Sequence, residues 1–101
     1  LVQKLKEYSK KGKIIAAICA APIVLHRAGL LKKKKFTCYP GFEDEINDGF
    51  YTGALVEKDG KIITGCGAAA SFEFAYTIAE ALGTDTSALR EGMQYNKLLK
   101  K

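Results

Sequence analysis

Residues 14–29 read IIAAICAAPIVLHRAG, twelve apolar residues from Ile14 to Leu25 interrupted by Cys19 and then by Pro22. The part from Lys13 to Ile18 is short and β-branched with apolar residues on both faces. That is the pattern of a strand buried within a parallel sheet, and such a strand needs a neighbour on each edge. Pro22 suits the first turn of a helix, where its missing N–H costs nothing, and Gly29 suits the helix end. The stretch therefore predicts strand, cysteine turn, helix, and an α/β chain around it.

A residue at a sharp strand-to-helix junction is held outward by the backbone, and unpaired N–H groups at the helix start favour negative charge beside it. For Cys19 this favours thiolate, and the same donors can serve an oxyanion, so Cys19 is the candidate nucleophile. Ala17, Ala20 and Ala21 leave room for the turn and for a ligand. A small hydrophobe packed in a core is the commoner fate of a free cysteine, and the local pattern leaves both readings open.

Upstream, Val2, Leu5 and Tyr8 recur at helical spacing among lysines, and the pattern stops at Lys11-Gly12. Downstream, Phe36 to Tyr39 reads as a second short strand closed by Pro40-Gly41, followed by the acidic GFEDEIND as a turn or one-turn helix. Asp59-Gly60 between VEK and KIIT predicts a hairpin over Val56–Gly65, with a type I′ turn that places positive φ at both central residues. Phe72, Ala75, Tyr76, Ala79 and Leu82 fall on one face of a helix beginning at Ser71 and capped by Gly83, which predicts a core-facing helix. The stretch from Ser87 to Leu99 is weakly helical, with Gly92 against it.

The 101 residues have room for one domain, and a composition of 48% hydrophobic and 27% charged residues excludes disordered and collagen-like chains. No apolar run reaches the ~18 residues of a membrane helix. The basic segment VQKLKEYSKKGK is too charged for the apolar part of a signal peptide. Beginning at Leu1 within a helical pattern, the chain reads as a fragment or a processed product. Cys19, Cys38 and Cys66 are odd in number and lack CxxC spacing, so neither a disulfide framework nor a zinc site is signalled, and a reducing cytoplasm fits best.

The net charge of +5 and the run LLKKKKFT at Leu30–Thr37 raise nucleic-acid binding. No aromatic-interleaved basic stripe accompanies the lysines, and the run reads as a solvated turn. His26, the one histidine, lies seven residues after Cys19, ~10 Å along a helix axis, beyond hydrogen-bonding reach. It reads as a cation near a helix C-terminus or a surface residue. Glu43, Asp44, Glu45 and Asp48 read as a solvated acidic turn. No triad is completed within these residues.

Taken in order, AAICAAPIVLHRAGLL, TCYPGFEDEI, VEKDGKIITG and SFEFAYTIAEALG resemble the C-terminal portion of the ThiJ/PfpI superfamily, in the branch that holds the Parkinson-disease-associated deglycase and YajL-like chaperones. The resemblance covers nearly the whole chain. It implies a flavodoxin-like three-layer sandwich, related to class I glutamine amidotransferases, of which residues 1–101 form the C-terminal half.

It further implies Cys19 at a nucleophile elbow, the Ala20 backbone N–H as an oxyanion donor, homodimers of the complete domain, and no metal or organic cofactor. The N-terminal half of the same domain is then a required partner, because the glutamate that exchanges a proton with the cysteine belongs to it. PfpI-type peptidases carry a histidine directly after the cysteine. Ala20 stands there instead, which argues against a hydrolase.

Tyr39 occupies the place of a histidine in the human-like proteins and is a candidate hydrogen bond to a substrate oxygen, against a role as a core strand residue. Gly67-Ala68-Ala69-Ala70 replaces the family's Gly-Pro-Gly-Thr, and Cys66 a usually polar residue. The implied activity is handling of reactive dicarbonyls, as a glutathione-independent glyoxalase or protein deglycase. The alternative is a redox-sensing stress chaperone in which Cys19 climbs the oxidation ladder without turnover.

Overall fold

The computed structural model describes residues 1–87. The expected helix over Ser87–Leu99 falls almost wholly outside them. Helix α1 spans Val2–Lys10, strand β1 Ile15–Ile18, helix α2 Pro22–Arg27, strand β2 Lys35–Phe36, strand β3 Phe50–Tyr51, strand β4 Val56–Asp59, strand β5 Ile62–Gly65 and helix α3 Ser71–Ala81. Short 3-10 turns occupy Phe42–Glu45 and Ala68–Ala70.

The main sheet has the order β1-β5-β4. β1 runs parallel to β5, pairing Ile15 with Ile62 and Ile18 with Gly65, and β4 runs antiparallel to β5. β2 and β3 form a separate parallel pair. Alternation along the strands sorts the side chains into two layers. Ile15, Ala17 and Ile62 face the main core with Leu25, Leu31, Phe36, Cys38 and Ile46, and Leu5 of α1 and Ile23 of α2 pack against it. On the opposite face Ile18 and Gly65 meet Phe74 of α3. Helices thus cover both faces of the sheet, the three-layer arrangement expected of a flavodoxin-like fold.

Five expectations change. β1 is paired on one edge only among the described residues, and Ala16 is exposed. The β5 ladder takes the backbone of alternate residues, with the Ile15 N–H donating to Lys61 O and the Cys19 N–H to Gly65 O. The polar backbone groups of Ala16 and the Ile18 N–H therefore point the other way, along an open edge, while Ile18 O accepts from the Ala21 N–H.

The second strand stops at Phe36 rather than Tyr39. Beyond it the Thr37 N–H donates to Thr64 Oγ1 at 2.9 Å and the Tyr39 N–H to Cys19 O at 2.9 Å, so the extended backbone is satisfied by side chain and loop instead of a ladder.

The hairpin forms, but its two-residue loop is Gly60-Lys61, since Asp59 pairs with Ile62. Only Gly60 has positive φ, at 63°, so the turn has the type II′ signature, with glycine first, and Asp59 serves as a strand residue.

In α3, Phe72, Ala75 and Leu82 are exposed, whereas Phe74 rests against the sheet and Tyr76 is buried. The absence of a side chain at Gly65 sets that packing: a Cβ there would lie 2.9 Å from Phe74 Cδ1 and 3.0 Å from Ile18 Cγ1. At the other end of the chain, Tyr8 is exposed, and Val2 and Leu5 form the inner face of α1.

Thr64 is fully buried on β5 and joins the sheet to the segment that carries Tyr39. Thr64→Val keeps the shape but strands the Thr37 N–H. The expected loss is about 1–3 kcal/mol of unfolding free energy, the cost of a buried donor left without an acceptor, measured by denaturant titration.

Candidate active site

Cys19 follows β1 directly and adopts φ 62°, the left-handed region that side chains other than glycine rarely enter. It shares that region with only one other non-glycine among the described residues, Lys33 at φ 59°. Such backbone costs about 1–2 kcal/mol and survives only where the surroundings hold it.

Here they do so from two sides. The Cys19 N–H donates to Gly65 O on β5 at 3.0 Å, and the Cys19 carbonyl accepts from the Tyr39 N–H at 2.9 Å. The chain then reverses tightly, with the Ala21 N–H donating to Ile18 O at 3.1 Å, and enters α2 at Pro22. The sequence expected a strand, a cysteine turn and a helix here, and the structure has all three in that order.

The electrostatics of the turn differ from the simple picture of a helix start full of unpaired donors. α2 is six residues long, and Pro22 has no N–H to offer. The Ile23 N–H already donates to Ala20 O at 3.1 Å and the Val24 N–H to Ala21 O at 2.9 Å. Ala20 is exposed, and its own N–H makes no backbone hydrogen bond among the described residues. The turn therefore offers an oxyanion one sequence-adjacent N–H, that of Ala20, rather than a cluster.

Tyr39 is brought to the elbow by its backbone bond to Cys19, twenty residues away in sequence. The residue is 53% exposed, so the reading of Tyr39 as a core strand residue does not hold. The ring stands edge-on to Phe42 at 6.3 Å between centroids and passes over Gly67, where a Cβ would lie 3.6 Å from Tyr39 Cδ2. Loop 66–70, the variant Cys-Gly-Ala-Ala-Ala stretch, thus lies beside Tyr39 and leads through its 3-10 turn into α3.

The three cysteines follow β1, β2 and β5 and are all free thiols. Cys38 is fully buried, and burial first, then the negative charge of Glu43 and the neighbouring Cys66, pushes its thiol up to about 11. It stays protonated near neutral pH and is a poor nucleophile. Cys19 and Cys66 are partly exposed.

His26 sits in the last turn of α2, with Nδ1 3.0 Å from Asp48 Oδ1, so it ties α2 to the loop before β3 and is occupied away from the elbow. Glu43 accepts from the Gly41 N–H at 2.6 Å. Two members of the acidic cluster therefore hold loops in place, where the sequence pointed to a merely solvated turn. Among the described residues no group of three or more His, Cys, Asp or Glu side chains could hold a metal ion, and no helix is long and apolar enough to cross a membrane.

Residues 1–81 match the DJ-1/PfpI family. The Parkinson disease protein 7 homolog of Danio rerio is 42% identical over 81 residues, which is 77% of this chain and 43% of that protein. The crystal structure of Drosophila melanogaster DJ-1beta superposes with a TM-score of 0.85 at 35% identity, over 92% of this chain and 52% of that one. Toxoplasma gondii DJ-1, in a structure described as oxidized, gives a TM-score of 0.81 at 35% identity, over 94% of this chain and 52% of that one. The chain spans about half the length of the relatives it matches.

The strain at Cys19 can be isolated by comparing Cys19→Ala with Cys19→Gly. Both remove the thiol, but only glycine relieves the left-handed backbone. The glycine variant is expected to be the more stable of the two by about 1 kcal/mol, read from thermal or denaturant melts.

Proposed function

Because the chain belongs to the DJ-1/PfpI family, we propose that it carries the thiol-bearing half of a domain that converts reactive dicarbonyls through Cys19. The observation that carries this reading is the Cys19 backbone itself, held at φ 62° by hydrogen bonds to two separate segments. A packing cysteine has no need of such a conformation, whereas a nucleophile is presented by it.

In this reading the Cys19 thiolate adds to the aldehyde carbon of methylglyoxal, forming a C–S bond and an alkoxide to which the Ala20 N–H donates. We assign Tyr39, exposed and tied to the elbow through its N–H, to hydrogen-bond a second substrate oxygen. A proton then moves from the former aldehyde carbon to its neighbour, so that the first carbon is oxidised to a thioester as the ketone carbon is reduced. Water releases lactate and the free thiol. The sum is methylglyoxal plus water giving lactate, with no external oxidant or reductant and no cofactor.

The proton transfer needs a carboxylate, which the family resemblance places in the other half of the domain. The open edge of β1 is where we place that half, since its backbone groups point outward there unpaired by β5. We take the complete domain to be a homodimer in a reducing cytoplasm, in keeping with three free thiols. The test is lactate formation from methylglyoxal by the complete protein. Cys19→Ser is expected to lower the rate by ~10³ or more, the scale of losing a catalytic nucleophile, and a rate left unchanged would sink the assignment.

A redox-sensing role is the second reading, favoured by the partial exposure of Cys19, in contrast to the buried and protonated Cys38. After mild peroxide treatment, peptide mass spectrometry should find the first added oxygens on Cys19. Oxidation of Cys38 or Cys66 with Cys19 still reduced would exclude it.

A further inference from the structure

The end of the sheet opposite Cys19 is built differently. β1 and β5 are parallel, so their N-terminal ends lie together, and a lysine precedes each: Lys13 before β1 and Lys61 before β5. The lysine run that leads into β2 comes to the same place. Ser9, Lys13, Lys32, Lys34 and Lys61 line one cleft of about 360 Å³, floored in part by Leu30 and Ile62.

No acidic, arginine or aromatic side chain among the described residues lines it. Two of the ammonium groups are held by the turns around them. Lys61 Nζ donates to Gly12 O at 2.7 Å, which leaves it two further donors, and Lys34 Nζ stands 3.9 Å from Asp59 Oδ1, the carboxylate that accepts from the Lys35 N–H. Lys13 and Lys32 are exposed.

We propose that this cleft is a binding site for a small, multiply charged phosphate, free or esterified to a small organic group. Four lysines line one concavity and, among the described residues, only Lys34 of the four has a carboxylate within 4 Å, so the cleft carries net positive charge, which a polyvalent anion offsets while its oxygens accept from several directions. Lysine binds phosphate as a point charge, and its rotatable donors can meet tetrahedral oxygens from several directions; a multiply charged phosphate offsets more of the cleft's charge than a single carboxylate. The absence of aromatic rings and the limited volume of about 360 Å³ favour a small ligand over a nucleic-acid strand, which needs an extended track with stacking platforms. The site is separate from the Cys19 elbow, which lies at the other end of β1, so the two can be tested independently.

The experiment is calorimetric titration of the intact protein with inorganic tripolyphosphate at about 50 mM and about 200 mM salt. Saturable one-to-one binding is expected, weaker at the higher salt. Lys13→Gln/Lys32→Gln, which removes two exposed charges and leaves the held Lys34 and Lys61 intact, should weaken it about tenfold. Lys4→Gln/Lys11→Gln, an equal loss of charge outside the cleft, should change it less than about twofold.

Equal weakening by both double variants would reduce the effect to diffuse surface charge and overturn the proposal. Absence of saturable binding at the lower salt would overturn it as well. So would a single-stranded oligonucleotide that binds more tightly with length while tripolyphosphate does not bind, because that would mark a nucleic-acid surface.

Discussion

Four residues of β1 lie in parallel register against four of β5, joining segments 47 positions apart in the chain. Parallel pairing cannot be made by a tight turn; it requires a long crossover, and its loop-closure entropy must be overcome before any contact rewards it. Once made, it aligns the beginnings of both strands at one end and their ends at the other. The α2 layer and the β2 segment are threaded between the two strands in sequence, and the β4 hairpin then extends the sheet from the far side of β5. The thiol end and the lysine end of the molecule are both consequences of that single alignment.

At the thiol end the pairing does more than position Cys19. The last bond of the ladder, from the Cys19 N–H to Gly65 O, fixes one side of the peptide plane as the strand gives way to the turn, and the Tyr39 N–H fixes the other. A left-handed non-glycine residue between them is then the conformation that keeps both bonds and still lets the chain enter α2. Gly65 serves twice, through its carbonyl and through the absence of a side chain, which lets Phe74 of α3 approach the sheet beneath the elbow. Loss of Thr64 or crowding at Gly65 would therefore reach the elbow through the backbone without touching the thiol.

The buried Cys38 and the partly exposed Cys19 show how position along a strand decides thiol chemistry. Both cysteines follow a strand, but Cys38 continues an extended segment into the core, where its thiol is held neutral, while Cys19 turns out of the sheet. His26 and Asp48 make the same point for charge. Side chains that could pass for catalytic groups in a list of residues are spent on joining α2 to the loop before β3.

Much of the local order was legible from residues close together in sequence. Pro22 and Gly29 marked the limits of α2, the break at Lys11-Gly12 ended α1, and the alternation around Asp59-Gly60 announced a hairpin, because each depends on the dihedral preferences of one or two residues. The four quoted segments also pointed to the family that the comparisons confirm. What escaped the sequence depends on groups far apart: the end of β2 at Phe36, set by Thr64 and Cys19; the inward face of α3, set by Gly65; the lost helix-start donors at Ile23 and Val24; and the meeting of Lys13, Lys32, Lys34 and Lys61 in one cleft. The sequence by itself determined the three helices within residues 1–87, the strand before the elbow, the hairpin and the elbow, though not β3, since torsional preference and apolar period are local while a two-residue strand is made by its partner. Only the tertiary structure decided which backbone groups the elbow has left to offer and which charges stand together, since hydrogen-bond partners and Coulomb neighbours are chosen by three-dimensional packing.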